Sequence, residues 1–166
     1  TLKLSLPQAD AIIDMTGTWV VGVKTADCVP LLLADPRSRM VCAVHAGWRG
    51  IVARIVPRVL KVLHKHVGTN DWIVAIGPHI RACHFQVGAE VAEHFVRSSV
   101  RSDPRREGAF LVDLSKSLHT QLEEQGIPEA HIEILPYCTH CLPKFFSHRR
   151  SQGRCGRMFN FVSGRV

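Results

Sequence analysis

Short apolar runs separated by turn residues dominate the first half of the chain. Residues 20–23, 29–34 and 40–44 are rich in valine and leucine, and such runs are typical of buried strands. Residues 72–76 predict a further strand that ends at Gly77-Pro78, and residues 132–135 predict another. The tail from Pro143 carries five basic side chains around two glycines, and the alternating pattern at its end predicts a last strand.

Between these runs the apolar residues recur at helical spacing. Residues 51–67 predict a helix that Pro57 kinks or restarts, and residues 88–96 predict a short one. Asp113 is a predicted N-cap for a helix over 114–125, whereas the polar segment 98–108 predicts an exposed loop. Since some strands are joined by tight turns and others alternate with helices, we expect a mixed sheet flanked by helices, in the α/β or α+β class.

Length and composition predict one domain over residues 1–166, because 46% hydrophobic residues suffice for a single core. The chain begins at Thr1 without a signal segment, so we expect a trimmed start that lacks an N-terminal segment. No apolar run approaches the roughly 20 residues of a membrane span. We therefore expect a soluble protein without a membrane partner.

The cysteine content and the net charge limit the cellular compartment and the classes of partner that we expect. Six cysteines without a secretory signal predict reduced thiols and a cytoplasmic location. The net charge of +7 admits anionic partners in general. No basic stripe is interleaved with aromatic residues, so we expect no nucleic-acid partner.

One predicted turn brings a cysteine and a histidine together. Residues 35–38, Asp-Pro-Arg-Ser, favour a tight turn, and a hairpin with Ala34 opposite Arg39 places Cys28 opposite His45. Opposed side chains on one face have Cβ atoms about 4.5–5.5 Å apart, which is close enough to share a metal or a proton. Pro30 is the weak point of this register, because it has no N–H to donate.

Three interpretations of this pair remain open. Cys28 and His45 suit a zinc site with an open position for water or substrate. They equally suit a cysteine nucleophile activated by the histidine, or an ordinary buried thiol beside a core histidine. Asp27 is the nearest carboxylate for a catalytic proton transfer, although the register points it to the opposite face. Arg49, between two glycines at a predicted helix start, is a candidate for holding an anion.

Other cysteines and histidines carry weaker signals. Cys138 and Cys141 form a C-x-x-C that alone indicates half a zinc ribbon or a redox pair, with His140 and His148 as possible further ligands. Because no second C-x-x-C exists, the pattern disfavours a separate structural site. Cys83 and His84 are expected either to line a pocket or to pack beneath it.

Three stretches together resemble the YfiH family, also labelled the polyphenol oxidase or laccase domain family: TADCVPLLLADP with HAGWRG, IGPHIRACHFQVGAEV, and FFSHRRSQGRCGRM. The resemblance covers residues 10–161 and implies a fold similar to that of the cytotoxic necrotizing factor deamidases. It also implies a mononuclear zinc site with Cys28 and His45 as ligands. The third family ligand is a histidine upstream of the cysteine, and this chain has no histidine before position 28. We expect that ligand upstream of Thr1.

The resemblance implies phosphorolysis of the purine nucleosides adenosine, inosine and methylthioadenosine, alongside adenosine deaminase activity. Purine nucleoside and phosphate are then the expected small-molecule partners. Phosphate needs cationic donors, for which Arg49, Arg149, Arg150 and Arg157 are candidates. Alternatives are a metal-independent Cys/His hydrolase or amidase acting on peptidoglycan precursors, and a copper polyphenol oxidase. Copper is disfavoured, since the one His-x-His triplet, residues 64–66, falls on a predicted helix where positions two apart diverge.

Overall fold

The computed structural model describes residues 8–67 and 71–165. Its elements form a mixed five-stranded sheet, a two-stranded sheet and a three-stranded sheet, with four α-helices. The strands are β1 Ala11–Asp14, β2 Val20–Thr25, β3 Val29–Ala34, β4 Val41–Ala46, β5 Ile73–Ile76, β6 Gln86–Val87, β7 Val100–Ser102, β8 Phe110–Val112, β9 Ile132–Ile134 and β10 Met158–Ser163. The helices are α1 Trp48–Val52, α2 Ile55–His64, α3 Ala89–Ala92 and α4 Leu114–Glu124.

The five-stranded sheet has the order β1-β4-β3-β5-β9. Its first four strands pair antiparallel, and β9 lies parallel to β5. The expectation of a mixed sheet flanked by helices is therefore confirmed. The main core lies between this sheet and the helices, and it includes Leu31, Val44, Leu60 and Leu118. The paired strands β2 and β10 cover the other face through a smaller apolar cluster around Val21 and Ala43.

The register of the predicted β3–β4 hairpin is wrong by two residues. Ala34 pairs with Val41, and Pro30 rather than Cys28 lies opposite His45. The turn is longer than a tight four-residue turn because the Asp35 carboxylate accepts hydrogen bonds from the backbone N–H of Arg37 and the hydroxyl of Ser38. A shift of two residues keeps side chains on the same face. Cys28 and His45 therefore remain neighbours, on a diagonal rather than directly opposed.

The interruption of the first helical segment also differs from the prediction. The break falls at Arg54, whose φ of 60° lies in the left-handed region between α1 and α2. Pro57 sits in the first turn of α2, where its missing N–H costs no hydrogen bond. The short α1 begins at Trp48, three residues after His45, with Gly47 as its N-cap.

The segment 98–108 is not simply an exposed loop. Its residues Val100–Ser102 form β7 and pair with β8, and Asp103 is buried. The Asp103 carboxylate accepts hydrogen bonds from Arg105 and from the side-chain amide of Gln86. Because β7 is an edge strand of three residues, its polar sequence shows no alternation that predicts a strand. The predicted N-cap of α4 is confirmed, since Asp113 accepts from the backbone N–H of Lys116 at 3.0 Å.

Among the described residues, no helix has the length and apolar character that crossing a bilayer requires.

Two substitutions on α2 test the position of the main core. Leu60 is fully buried, whereas Val62 is 41% exposed on the same helix. We expect Leu60→Ala to lower the free energy of unfolding by about 2–5 kcal/mol, because it leaves a cavity in packed hydrocarbon. Val62→Ala should change it by less than about 0.5 kcal/mol. Urea unfolding followed by circular dichroism measures both, and equal effects would place the core elsewhere.

Candidate active site

A cavity of about 560 Å³ opens where β2, β3 and β4 meet the loops that follow β5 and β9. Its volume lies within the range of small-molecule sites. Aromatic, charged and thiol side chains converge on it from segments far apart in the chain. The lining residues are Lys24, Ala26, Asp27, Cys28, His45, Trp48, Ile80, Phe85, Gln86, Val87, Gly88, Glu90, Val91, His148, Arg149 and Arg157.

Cys28 and His45 both line this cavity and are neighbours there. The Cys28 hydrogen bond raises the pKa of His45 to about 9, against the opposing effect of burial and with further support from Asp10. Asp10 binds Nδ1 of His45 at 2.9 Å, and its backbone oxygen accepts the N–H of the same residue. Such a carboxylate contact fixes the ring and leaves Nε2 as the nitrogen for a ligand. Gly47 lies beside the pair, since a Cβ added there would be 3.4 Å from the Cys28 sulfur and 3.6 Å from Cε1 of His45.

Asp27 is buried at the base of the cavity and joins three parts of the chain. Its carboxylate accepts hydrogen bonds from the Thr139 hydroxyl at 2.6 Å, the Ser147 hydroxyl at 3.1 Å and the Arg149 backbone N–H at 2.6 Å. Its carbonyl oxygen accepts the N–H of Ile80. Its φ of 85° is unusual for a residue other than glycine, which indicates that these contacts hold the backbone in place.

Two of the predicted cationic residues, Arg149 and Arg157, line the cavity. The Arg149 guanidinium lies 5.6 Å from the centre of the Phe85 ring and donates to the Gln86 carbonyl at 2.8 Å. Arg157 donates to the carbonyl of Cys155 at 2.9 Å. Each guanidinium carries five N–H donors, so these contacts orient it without using its full capacity.

Arg150 and Arg49 have different surroundings. The Arg150 guanidinium donates to the backbone carbonyls of Thr139, His140 and Phe145. It therefore connects the end of the loop 139–150 to its beginning. Arg49 is exposed on α1 and lies 4.4 Å from the centre of the Trp48 ring. The cavity wall therefore contains Trp48 but not these two guanidinium groups.

Lys24, Glu90 and His148 also line the cavity, although the sequence did not point to the first two as site residues. Lys24 occupies a strand of otherwise apolar and small residues, and this contrast is the available sequence signal for it. His148 stands out in the sequence only as a candidate partner of the C-x-x-C. The structure places it instead in the cavity that contains Cys28.

Within residues 8–67 and 71–165, two groups have the spacing of metal ligands. Cys83, His84, Cys138 and Cys141 have ligand atoms within 4.8 Å of one another and could hold a metal ion. The second group, His119, Glu123 and Glu129, lies at the surface with two exposed carboxylates. The pairing of Cys83 and His84 with the C-x-x-C was not predicted, because these residues are more than fifty positions apart.

Known proteins are similar to this chain in sequence and in fold. A purine nucleoside phosphorylase of Clostridium acetobutylicum is 36% identical over 163 residues, which are 95% of this chain and 67% of that protein. Adenosine deaminase RL5, from an unknown prokaryotic organism, is 36% identical over 167 residues, covering 96% of this chain and 64% of the relative.

The crystal structure of YlmD from Geobacillus stearothermophilus superposes with a TM-score of 0.87 at 30% identity. It covers 95% of this chain, which in turn spans 62% of that structure. The chain thus spans about two thirds of the length of these relatives. The model of the family described as multi-copper polyphenol oxidoreductase laccase matches residues 1–165. The chain therefore belongs to this laccase-like family, which includes the YfiH and YlmD proteins.

Proposed function

We propose that this protein is a zinc-dependent purine nucleoside phosphorylase whose active site is the cavity around Cys28. One observation carries the proposal. A single cavity of about 560 Å³ contains Cys28 and His45, which offer a sulfur and a nitrogen ligand for a metal, together with the cationic side chain of Arg149. The relatives named purine nucleoside phosphorylase and adenosine deaminase support the same substrate class.

The donor set fits zinc. Thiolate sulfur and imidazole nitrogen are the ligands that zinc prefers, and Asp10 orients the His45 ring for coordination through Nε2. Bound there, zinc would supply a positive charge that polarises a substrate oxygen or a water molecule. Catalytic zinc sites use three protein ligands, and in the described residues no third ligand forms a group with this pair. The family resemblance assigns the third position to a histidine upstream of Cys28, where residues 1–27 contain none.

The neighbouring cations suit the phosphate. Arg149 and Arg157 reach the cavity from the tail, and Lys24 reaches it from β2. Phosphorolysis forms a bond between a phosphate oxygen and the anomeric carbon of ribose while the bond to the purine nitrogen breaks. The base leaves with the bonding electrons and takes up a proton. Cationic donors that hold the phosphate beside the ribose lower the barrier by positioning it and by offsetting its charge.

The apolar part of the cavity suits the purine ring. Trp48 and Phe85 contribute aromatic side chains to the wall, and Ile80 and Val91 contribute aliphatic ones. Planar bases stack favourably on such surfaces, while polar groups at the rim fix their orientation. Glu90 and His148 lie in the same wall and are candidates for proton exchange with the base.

Asp27 fits a positioning role better than direct proton transfer. Three donors from the loop 139–150 already occupy its carboxylate, and one of them is the backbone N–H of Arg149. We infer that Asp27 holds the phosphate-binding arginine at its place in the cavity. Its assignment as a catalytic proton shuttle, and that of Arg49 as an anion ligand, stay predictions.

A metal-independent Cys/His hydrolase is the second candidate. The contact between Cys28 and His45 favours it, because an imidazole beside a cysteine can take up the thiol proton when the sulfur attacks a substrate. Copper polyphenol oxidation has less support. Multi-copper centres need several histidines, whereas each group of potential metal ligands in the described part of the chain contains a single histidine. We place the protein in the cytoplasm, where thiolate ligands stay reduced.

Replacement of Cys28 by serine tests the metal and the reaction together. We expect Cys28→Ser to lose the zinc bound with His45 and to abolish the phosphate-dependent release of adenine from adenosine, because serine is a poor zinc ligand. Plasma mass spectrometry of the full-length protein and chromatographic assay of free base measure these two quantities. Cys42→Ala removes a buried thiol of the same hairpin and should keep both.

The contrary outcome is a fully active, metal-free protein. Such protein would contradict the zinc requirement, and hydrolysis of an amide or ester that stops when an electrophile alkylates Cys28 would support the metal-independent hydrolase in place of the phosphorylase. Inosine formed from adenosine without phosphate would instead show deamination as the main reaction.

Replacement of Arg149 tests the phosphate site. A charged hydrogen bond contributes about 1.5–3 kcal/mol, so Arg149→Gln should raise the KM for phosphate by roughly 10- to 100-fold. The KM for adenosine should change far less. Arg37→Gln, which removes a surface guanidinium paired with Asp71, is the control with unchanged kinetics. Equal losses for both substrates would show that Arg149 only supports the fold.

A further inference from the structure

Outside the cavity that contains Cys28, four potential metal ligands from two distant loops converge on one point. Cys83 and His84 belong to the loop after β5, and Cys138 and Cys141 belong to the loop after β9. An isolated bridge between His79 and Cys138 joins the two loops, and the N–H of Thr139 donates to the His79 carbonyl. The cluster therefore lies where the loops that follow the parallel strands β5 and β9 are already paired through their backbones.

We infer that Cys83, Cys138, Cys141 and Nδ1 of His84 bind one structural zinc ion. The sulfur of Cys83 lies 3.6 Å from the sulfur of Cys138 and 3.6 Å from that of Cys141. Nδ1 of His84 lies 3.3 Å from the Cys83 sulfur and 3.2 Å from the Cys141 sulfur.

These separations match a tetrahedral zinc centre. Zinc binds sulfur at about 2.3 Å and nitrogen at about 2.0–2.1 Å, so two sulfurs on one ion are about 3.8 Å apart and a sulfur and a nitrogen about 3.6 Å. A disulfide requires about 2.05 Å between its sulfurs, so the three thiols stand at ligand spacing rather than at bonding distance. All three are free cysteines.

The donor set indicates a structural rather than a catalytic ion. Three cysteines and one histidine fill the four positions of zinc and leave none for water or substrate. The surroundings orient the ligands, as is usual around zinc. The backbone N–H of Arg81 donates to the Cys138 sulfur at 3.4 Å, and the His140 ring stacks on His84 with centres 3.9 Å apart.

This ion would fasten the loop that builds one wall of the cavity. Thr139, between the two cysteines of the C-x-x-C, donates its hydroxyl to Asp27. The guanidinium of Arg150 then links the carbonyls of Thr139 and His140 to that of Phe145. A zinc ion at the cluster ties this loop to residues 83 and 84 independently of Asp27. The inference concerns a second ion and holds whether or not the proposed phosphorolysis is correct.

Zinc content in a background without the first site tests the inference. In the double variant Cys28→Ser with His45→Ala, the full-length protein should retain about one zinc per chain by plasma mass spectrometry. Adding Cys83→Ser and Cys141→Ser should remove it, and adding Cys155→Ser instead should not, since Cys155 lies outside both ligand sets. A background variant without zinc, or one that keeps zinc after the loss of both cluster thiols, would overturn the inference.

Alkylation of the unmodified protein gives a second measurement that does not depend on the folding of variants. The Cys141 side chain is exposed and should react quickly with N-ethylmaleimide if no ion is present. We expect Cys83, Cys138 and Cys141 to resist alkylation together and to become reactive together after a strong chelator removes zinc. Immediate alkylation of Cys141, or a disulfide among these three cysteines in peptide mapping of freshly purified protein, would contradict the structural zinc.

Discussion

The buried carboxylate of Asp27 is the contact on which the candidate site depends. A polar group inside a protein is costly unless it is hydrogen-bonded, and Asp27 accepts from two hydroxyls and one backbone N–H of the loop 139–150. Because Asp27 directly precedes Cys28, these bonds fix the arginine-bearing loop relative to the thiol. The left-handed backbone of Asp27 is the conformational cost of this arrangement.

The other side chains of the cavity are positioned by elements that adjoin Asp27. The hairpin of β3 and β4 puts Cys28 and His45 on one face, and Asp10 at the start of the edge strand turns the imidazole toward the cavity. The loop held by Asp27 brings Arg149 into the same cavity. The cysteine cluster would hold the same loop from its other end. The two proposed metal sites would have separate roles. The ion at Cys28 and His45 would take part in the reaction, and the ion at the cysteine cluster would hold the loop that forms part of the cavity wall.

The sequence predicted the Cys28–His45 pair although its hairpin register was wrong. The side-chain period of a strand is two, so an error of two residues leaves both groups on the same face. The N-cap at Asp113 was predicted for a similar reason, since its signal is local. Local patterns do not reveal contacts between distant segments. The bond from Asp10 to His45, the bonds from Asp27 to the loop 139–150 and the meeting of Cys83 with Cys138 all depend on tertiary packing. For this reason the place of Lys24 in the cavity and the meeting of Cys83 and His84 with the C-x-x-C were found only in the structure.

The proposed chemistry requires a metal held by Cys28 and His45 next to an anion held by Arg149. Crystals of the full-length protein grown with phosphate, measured with anomalous diffraction at the zinc absorption edge, test it most directly. We expect an anomalous peak in contact with the Cys28 sulfur and Nε2 of His45, and phosphate density bound by the Arg149 guanidinium in the same cavity. Density that shows Cys28 and His45 without a metal between them, with phosphate bound away from Arg149, would contradict it.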